Sequence, residues 1–240
     1  MLSTGGCNKA SSFDPTTTKT IVVFYDRSKS TVVDRGVYAK AMAMVVAKLQ
    51  PGDRLIMGPI TGTSVRDFVT NIDFSLPPPL PPRNSMTDRE FEFNKSAKAR
   101  AHEDSLGFAR LNADIATALA APSNADTTAI LETMNIAEDI FAAATNRKIL
   151  IVLSDMLESA AYNFEKTDPT EAFIKKEIAR LTASQQLPDL KGVEVYVVGA
   201  HADVPAKEAA TERFWQAYFG ATGAIVGPGQ YARVMHTFRG

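Results

Sequence analysis

One cysteine, Cys7, and three histidines, His102, His201 and His236, are all that the 240-residue chain offers as thiol or imidazole ligands. A single cysteine excludes an intrachain disulfide and a cysteine-built zinc centre. The histidines are scattered without ligand spacing and read as surface or loop residues. Charge of one sign is lacking as well. The net charge is −1, so the bulk composition carries no nucleic-acid footprint. No apolar run is long enough to span a bilayer. The longest, at 21–25 and 149–153, are the size of strands. What remains is ordinary for a soluble globular protein, 45% hydrophobic and 22% charged. A chain of this length buries a sizeable core, as one large α/β domain or two small ones.

Strand and helix signals alternate along the chain. Residues 20–25 read as a strand apolar on both faces. The stretch 31–49 reads as a helix with Val33, Val37, Ala41, Val45 and Leu49 on one face, closed by Pro51-Gly52. A buried strand is expected at 54–60 and an edge strand at 68–74. The run 76–83, Leu-Pro-Pro-Pro-Leu-Pro-Pro-Arg, excludes helix and central strand and must be an extended polyproline connector. Its Pro78, Pro81 and Arg83 also match a pattern bound by polyproline-recognition domains. Residues 87–120 read as one or two helices, with Phe91, Ala97, Phe108, Leu111, Ile115 and Leu119 turned inward. Helices follow at 126–144, 169–183 and 206–220, strands at 148–153, 192–198 and, briefly, 224–226. The aromatic set Phe214, Trp215, Tyr218 and Phe219 reads as core with a partly exposed rim that would make a contact surface. Gly227-Pro-Gly229 reads as a turn. The expectation is a doubly wound, mostly parallel sheet with helices on both faces. One domain spans 19–240, with 76–122 inserted in it, and 1–18 forms a flexible tail.

Ligands of open α/β sheets bind beyond the carboxyl ends of the strands. The first strand stops at Asp26-Arg-Ser28-Lys-Ser30. The strand at 148–153 is followed by Ser154-Asp155, and Asp126, Thr127 and Thr128 stand before a helix. Where these loops converge, two carboxylates and three hydroxyls form a set of hard oxygen donors suited to Mg²⁺. Capping explains part of the pattern: Thr31-Val-Val-Asp34 fits a capping box, and Asp126 or Thr127 fits an N-cap. Glu158 reads as a solvated loop carboxylate near the site rim.

Taken together and in this order, these elements resemble the von Willebrand factor A domain. Asp26-x-Ser28-x-Ser30 follows a hydrophobic strand. Thr128-Ala-Ile-Leu-Glu-Thr-Met134 is similar to the family's threonine segment. Ile149-Leu-Ile-Val-Leu-Ser-Asp155 is similar to the buried strand that ends in Ser-Asp-Gly, with Met156 in place of the glycine. Thr127 and Thr128 both stay open as the threonine donor. The resemblance covers about 19–226 and implies a metal-ion-dependent adhesion site. Asp26, Ser28, Ser30, Thr128 and Asp155 would hold Mg²⁺, or Mn²⁺ or Ca²⁺. An open coordination position would accept a carboxylate from a protein partner, with no chemistry of the domain's own. Arg27 and Lys29 would point away from the ion and flank the partner's acidic group.

Two other functions compete. A Mg²⁺-dependent phosphatase or phosphotransferase of the haloacid-dehalogenase kind also places an aspartate at a strand end. It wants a second aspartate two residues on as general acid, where this chain has Ser28. A metal-free scaffold of the same fold would bind partners through other surfaces. Separately, Leu2-Ser-Thr-Gly-Gly-Cys7 resembles the end of a bacterial lipoprotein signal, although no basic start or apolar segment precedes it. That resemblance implies export and a lipid anchor at Cys7 on the cell envelope, with 1–18 as tether and this anchor as the only membrane contact. The alternative location is the cytoplasm.

Overall fold

A computed structural model describes residues 17–84, 87, 89–122 and 125–239. The tail reading of 1–18 and its Cys7 lie outside these residues, except for Thr17 and Thr18. Thr18 is already buried, and its carbonyl accepts from the Arg147 amide at 3.2 Å.

Six strands form one sheet in the order β3-β2-β1-β4-β5-β6. They are β1 (Lys19–Asp26), β2 (Arg54–Ile60), β3 (Ile72–Ser75), β4 (Arg147–Leu153), β5 (Glu194–Val198) and β6 (Tyr231–Ala232). All neighbouring pairs are parallel except β2 and β3. The α/β, doubly wound, mostly parallel sheet expected from the alternation of elements is therefore present. β1 lies at the centre with every residue buried, which is why its sequence shows no polar face. Its alternate residues feed two separate cores. Ile21, Val23 and Tyr25 pack with α1 (Arg35–Val46) and the carboxyl end of α3 (Glu90–Ala120). Val22 and Phe24 pack with α4 (Ile130–Ala142), α5 (Glu171–Ala183) and α6 (Pro205–Ala221).

Several expected elements shift. The helix foreseen at 31–49 opens with a 3-10 turn, Ser30–Asp34, before α1. Val33, expected inside, is therefore 77% exposed. The helix foreseen at 126–144 begins only at Ile130, its N-cap is Ala129, and neither Asp126 nor Thr127 caps it. Thr31 and Asp34 form no capping box. The Thr31 hydroxyl donates instead to the carbonyls of Asp26 and Ser28, at 3.2 and 3.0 Å. The edge strand is shorter than expected and antiparallel. The last strand falls at β6, while Ile225 makes only an isolated bridge to Glu194. Among the described residues the helical part of the insertion is one 31-residue helix, α3, and a short four-residue helix, α2 (Ser64–Asp67), lies earlier in the chain. Phe91 at its start is 75% exposed rather than inward. Trp215, Phe214, Phe219 and Tyr218 are 0, 0, 0 and 2% exposed. They are core, and the expected contact rim is absent. His102 and His236 are exposed, as expected.

Candidate metal centre

β1 and β4 are adjacent and in register, with Tyr25 opposite Leu153. Residues that follow each strand by one or two positions therefore meet above the sheet. Asp26 is fully buried. Its Oδ1 accepts from the Ser28 amide at 2.7 Å and its Oδ2 from the Ser154 hydroxyl at 2.7 Å. Ser28 Oγ lies 3.0 Å from Ser30 Oγ, which donates to Asp155 Oδ2 at 2.6 Å. Asp155 Oδ1 accepts from the Leu157 amide at 3.0 Å. Four of the five candidate donors thus form one continuous chain of contacts. Asp26, Ser28 and Asp155 are buried while Ser30 is exposed, so the cluster opens to solvent at Ser30.

Thr128 approaches from the third loop. It is 2% exposed. Its amide donates to Ser159 Oγ at 2.8 Å, and its carbonyl accepts from the Ser159 and Ala160 amides. Ala129 donates to the Thr61 carbonyl at the end of β2 at 2.9 Å. A parallel bridge joins Ser28 to Ala125, which sets this loop beside the β1 loop. No hydrogen bond joins Thr128 itself to the Asp26–Asp155 chain. Thr127 is exposed, and its hydroxyl stands against Gly62, where a Cβ would collide with it. Arg27 and Lys29 each have an intramolecular partner. Arg27 donates to the Pro122 carbonyl at 2.7 Å, and Lys29 pairs with Asp126 at 2.9 Å. They stitch the β1 loop to the loop before α4.

Burial pushes the Asp26 carboxyl up from its ordinary range, against the lowering pull of its hydrogen bonds to Ser28 and Ser154. Asp155 is pushed up to about 7, by burial first and by the Asp26 charge second, with the Ser30 bond opposing. Two carboxylates that repel each other in a dry site are the electrostatic setting a cation relieves. Among the described residues no group of three or more His, Cys, Asp and Glu converges. The donor set is two carboxylates completed by hydroxyls, which fits a hard ion such as Mg²⁺ and not a soft one.

At the site Ser159 escaped the sequence reading, while Ser154, Met156 and Glu158, all named there, take roles it did not foresee. Ser154 orients Asp26 and also accepts from the Met156 amide at 3.0 Å; the signal was a second hydroxyl at the end of a buried strand. Met156 itself has φ 66°, so the position taken by glycine in the resembling pattern keeps the left-handed backbone that favours glycine. Ser159 clamps Thr128. Glu158, expected in solvent, is fully buried. It accepts from the amides of Leu131, Ala160 and Ala161, each at 2.9 Å. It supplies from a different loop the cap that α4 lacks. His201, in the loop after β5 as expected of a loop histidine, is half-buried; it lies 2.9 Å from the Gly199 carbonyl and 3.5 Å from buried Asp34, and its charge acts on Asp155.

No protein-family model matches the chain, and no curated protein matches it in sequence. Solved structures match at low similarity. The open form of the pilus adhesin SpaC from Lactobacillus rhamnosus GG aligns over 88% of this chain at 11% identity and a TM-score of 0.47. Proximal thread matrix protein 1 of the mussel byssus aligns over 88% at 13% identity and a TM-score of 0.42. A von Willebrand factor type A protein from Catenulispora acidiphila aligns over 86% at 12% identity and a TM-score of 0.42. The chain spans 28, 46 and 43% of these three proteins. At such scores the likeness carries no weight for function. What can be said of the site rests on its own geometry, a buried chain of two carboxylates and two serine hydroxyls at the carboxyl ends of β1 and β4.

Proposed function

We propose that the chain is a divalent-cation-dependent protein-binding module of the von Willebrand A type. The observation that supports it is the chain Asp26–Ser28–Ser30–Asp155, which holds two mutually repelling carboxylates and opens to solvent at one hydroxyl. Asp26, Ser28, Ser30, Thr128 and Asp155 would hold Mg²⁺, Mn²⁺ or Ca²⁺. The ion, when bound, supplies an electrophilic position for a carboxylate of the partner. The protein's own groups position and desolvate it: Ser154 fixes Asp26, the Leu157 amide fixes Asp155, and Ser159 and Glu158 hold the Thr128 loop.

Calorimetric titration with Mg²⁺ and with Mn²⁺ tests this. Wild type should bind one ion and the Asp26→Ala, Ser28→Ala double variant none. Identical behaviour of the two would leave a metal-free scaffold. The enzyme alternative wants a proton donor two residues beyond Asp26; Ser28 stands there, engaged with Ser30. Turnover of p-nitrophenyl phosphate that disappears in Asp26→Asn would overturn the adhesion reading. An envelope location through a lipid at Cys7 belongs to the same proposal. Metabolic incorporation of a labelled fatty acid, abolished by Cys7→Ser, would support it. No helix among the described residues is long and apolar enough to cross a membrane.

A further inference from the structure

The segment 76–83 is absorbed by neither the sheet nor the metal centre. It leaves the edge strand β3 at Leu76, which is 6% exposed and held by two backbone bonds, its amide to the Asp53 carbonyl at 3.0 Å and its carbonyl from the Gly52 amide at 2.7 Å. Beyond that anchor every residue from Pro77 to Arg83 is exposed. Five of these seven are proline. Each proline fixes its own φ, and each residue before a proline is pushed out of the helical region. Only Pro79, Pro82 and Arg83 escape the second restriction. The backbone is therefore extended before any partner arrives.

Two tethers order it further. Arg100 of α3 donates to the Pro78 carbonyl at 3.0 Å, and Arg83 pairs with Glu90 at 3.1 Å. A polyproline helix repeats every three residues, so residues 77, 80 and 83 share one face and residues 78 and 81 the next. These two faces carry Pro77, Leu80 and Arg83, and Pro78 and Pro81. An apolar ridge thus ends in a cation, two positions beyond the second proline of a Pro-x-x-Pro pair. In the Arg83–Glu90 pair the arginine side chain is 32% exposed and the glutamate 76%. Solvent screens a pair whose acid is this exposed, so Arg83 can exchange Glu90 for another acid at modest cost.

We infer that this strap is a docking site for a polyproline-binding domain of the SH3 kind. The partner's aromatic groove would take Pro77-Pro78 and Leu80-Pro81, and its acidic pocket would take Arg83. Fixed prolines and the Arg100 tether remove most of the ordering entropy that a free peptide loses on binding. This proposal is independent of the metal centre. It is tested by titrating the full chain into a panel of ¹⁵N-labelled SH3 domains selective for Pro-x-x-Pro-x-Arg peptides. The expected result is saturable shifts confined to the aromatic groove and acidic pocket of at least one domain. Arg83→Glu, and separately Pro78→Ala with Pro81→Ala, should weaken binding at least about tenfold, with the thermal midpoint of the chain unchanged. No shift across the panel, or binding indifferent to both variants, would overturn it. So would a peptide of residues 76–83 that binds a domain which the intact chain does not.

Discussion

Asp155 sets the behaviour of the site at the scale of one residue. Its carboxyl is held up at about 7, by burial and then by Asp26. A raised carboxyl pKa means that the folded state binds the proton more tightly than the unfolded chain, whose pKa is near 3.8. The contribution to stability is complete below about pH 4 and is lost as pH rises through about 7. Metal-free protein should therefore lose thermal stability from this group across that window, and excess Mg²⁺ should restore it above pH 7 by mass action. Asp155→Asn should flatten the pH dependence, raise the metal-free midpoint at pH 8 and abolish the Mg²⁺ effect. Scanning calorimetry at pH 5 and pH 8, with and without Mg²⁺, checks all three. Met156 poses a different balance. Its left-handed backbone costs about 1–2 kcal/mol against glycine, while its side chain is fully buried. Removing a buried methionine side chain costs about 2–5 kcal/mol. The cavity wins, so Met156→Gly should be destabilised by about 1–3 kcal/mol in urea unfolding. The left-handed position was legible as a departure from a glycine pattern. That Met156 is also core, with its carbonyl accepting from Trp215 at 2.8 Å, was not.

At the scale of elements, the buried strands were readable because β1 and β4 are apolar on both faces, and only a covered parallel strand needs that. Their ends were readable for the same reason, since Asp26 and Asp155 interrupt the apolar runs. Helix starts were less so. Thr31 looks like a cap, yet its hydroxyl is used to fold the β1 loop back on itself. α4 looks as if it starts at a local cap, yet its cap is Glu158, 27 residues beyond Leu131. A cap delivered by another loop leaves no local spacing to recognise. Glu158 meets the amides as an acceptor, and burial pushes its carboxyl up while those amides pull it down. Glu158→Gln halves the acceptor set and turns an NH₂ group toward donors. A loss of about 1–3 kcal/mol is expected, with faster amide exchange at Leu131, Ala160 and Ala161. Because the same loop carries Ser159 against Thr128, weaker Mg²⁺ binding should accompany it.

For the whole molecule, the opposite end of the sheet is held by a buried pair. Lys19 Nζ lies 2.5 Å from Asp53, with side chains 2 and 0% exposed, and also donates to the Lys48 carbonyl at 3.0 Å. Asp53 in turn accepts from the Lys19 and Gln50 amides, at 2.9 and 2.7 Å. Lys19→Met would strand a buried carboxylate and cost about 3–5 kcal/mol, with Mg²⁺ affinity at the far end unaltered. Equilibrium unfolding with a parallel calorimetric titration separates the two readouts. The sheet's margins have another consequence. β3 has four residues and runs straight into the proline strap, and β6 has two and follows the Gly227-Pro-Gly229 turn. Neither margin offers a ladder long enough for a foreign strand to extend. Edge-to-edge pairing through this sheet is therefore disfavoured even where molecules of this protein are crowded side by side at high local density.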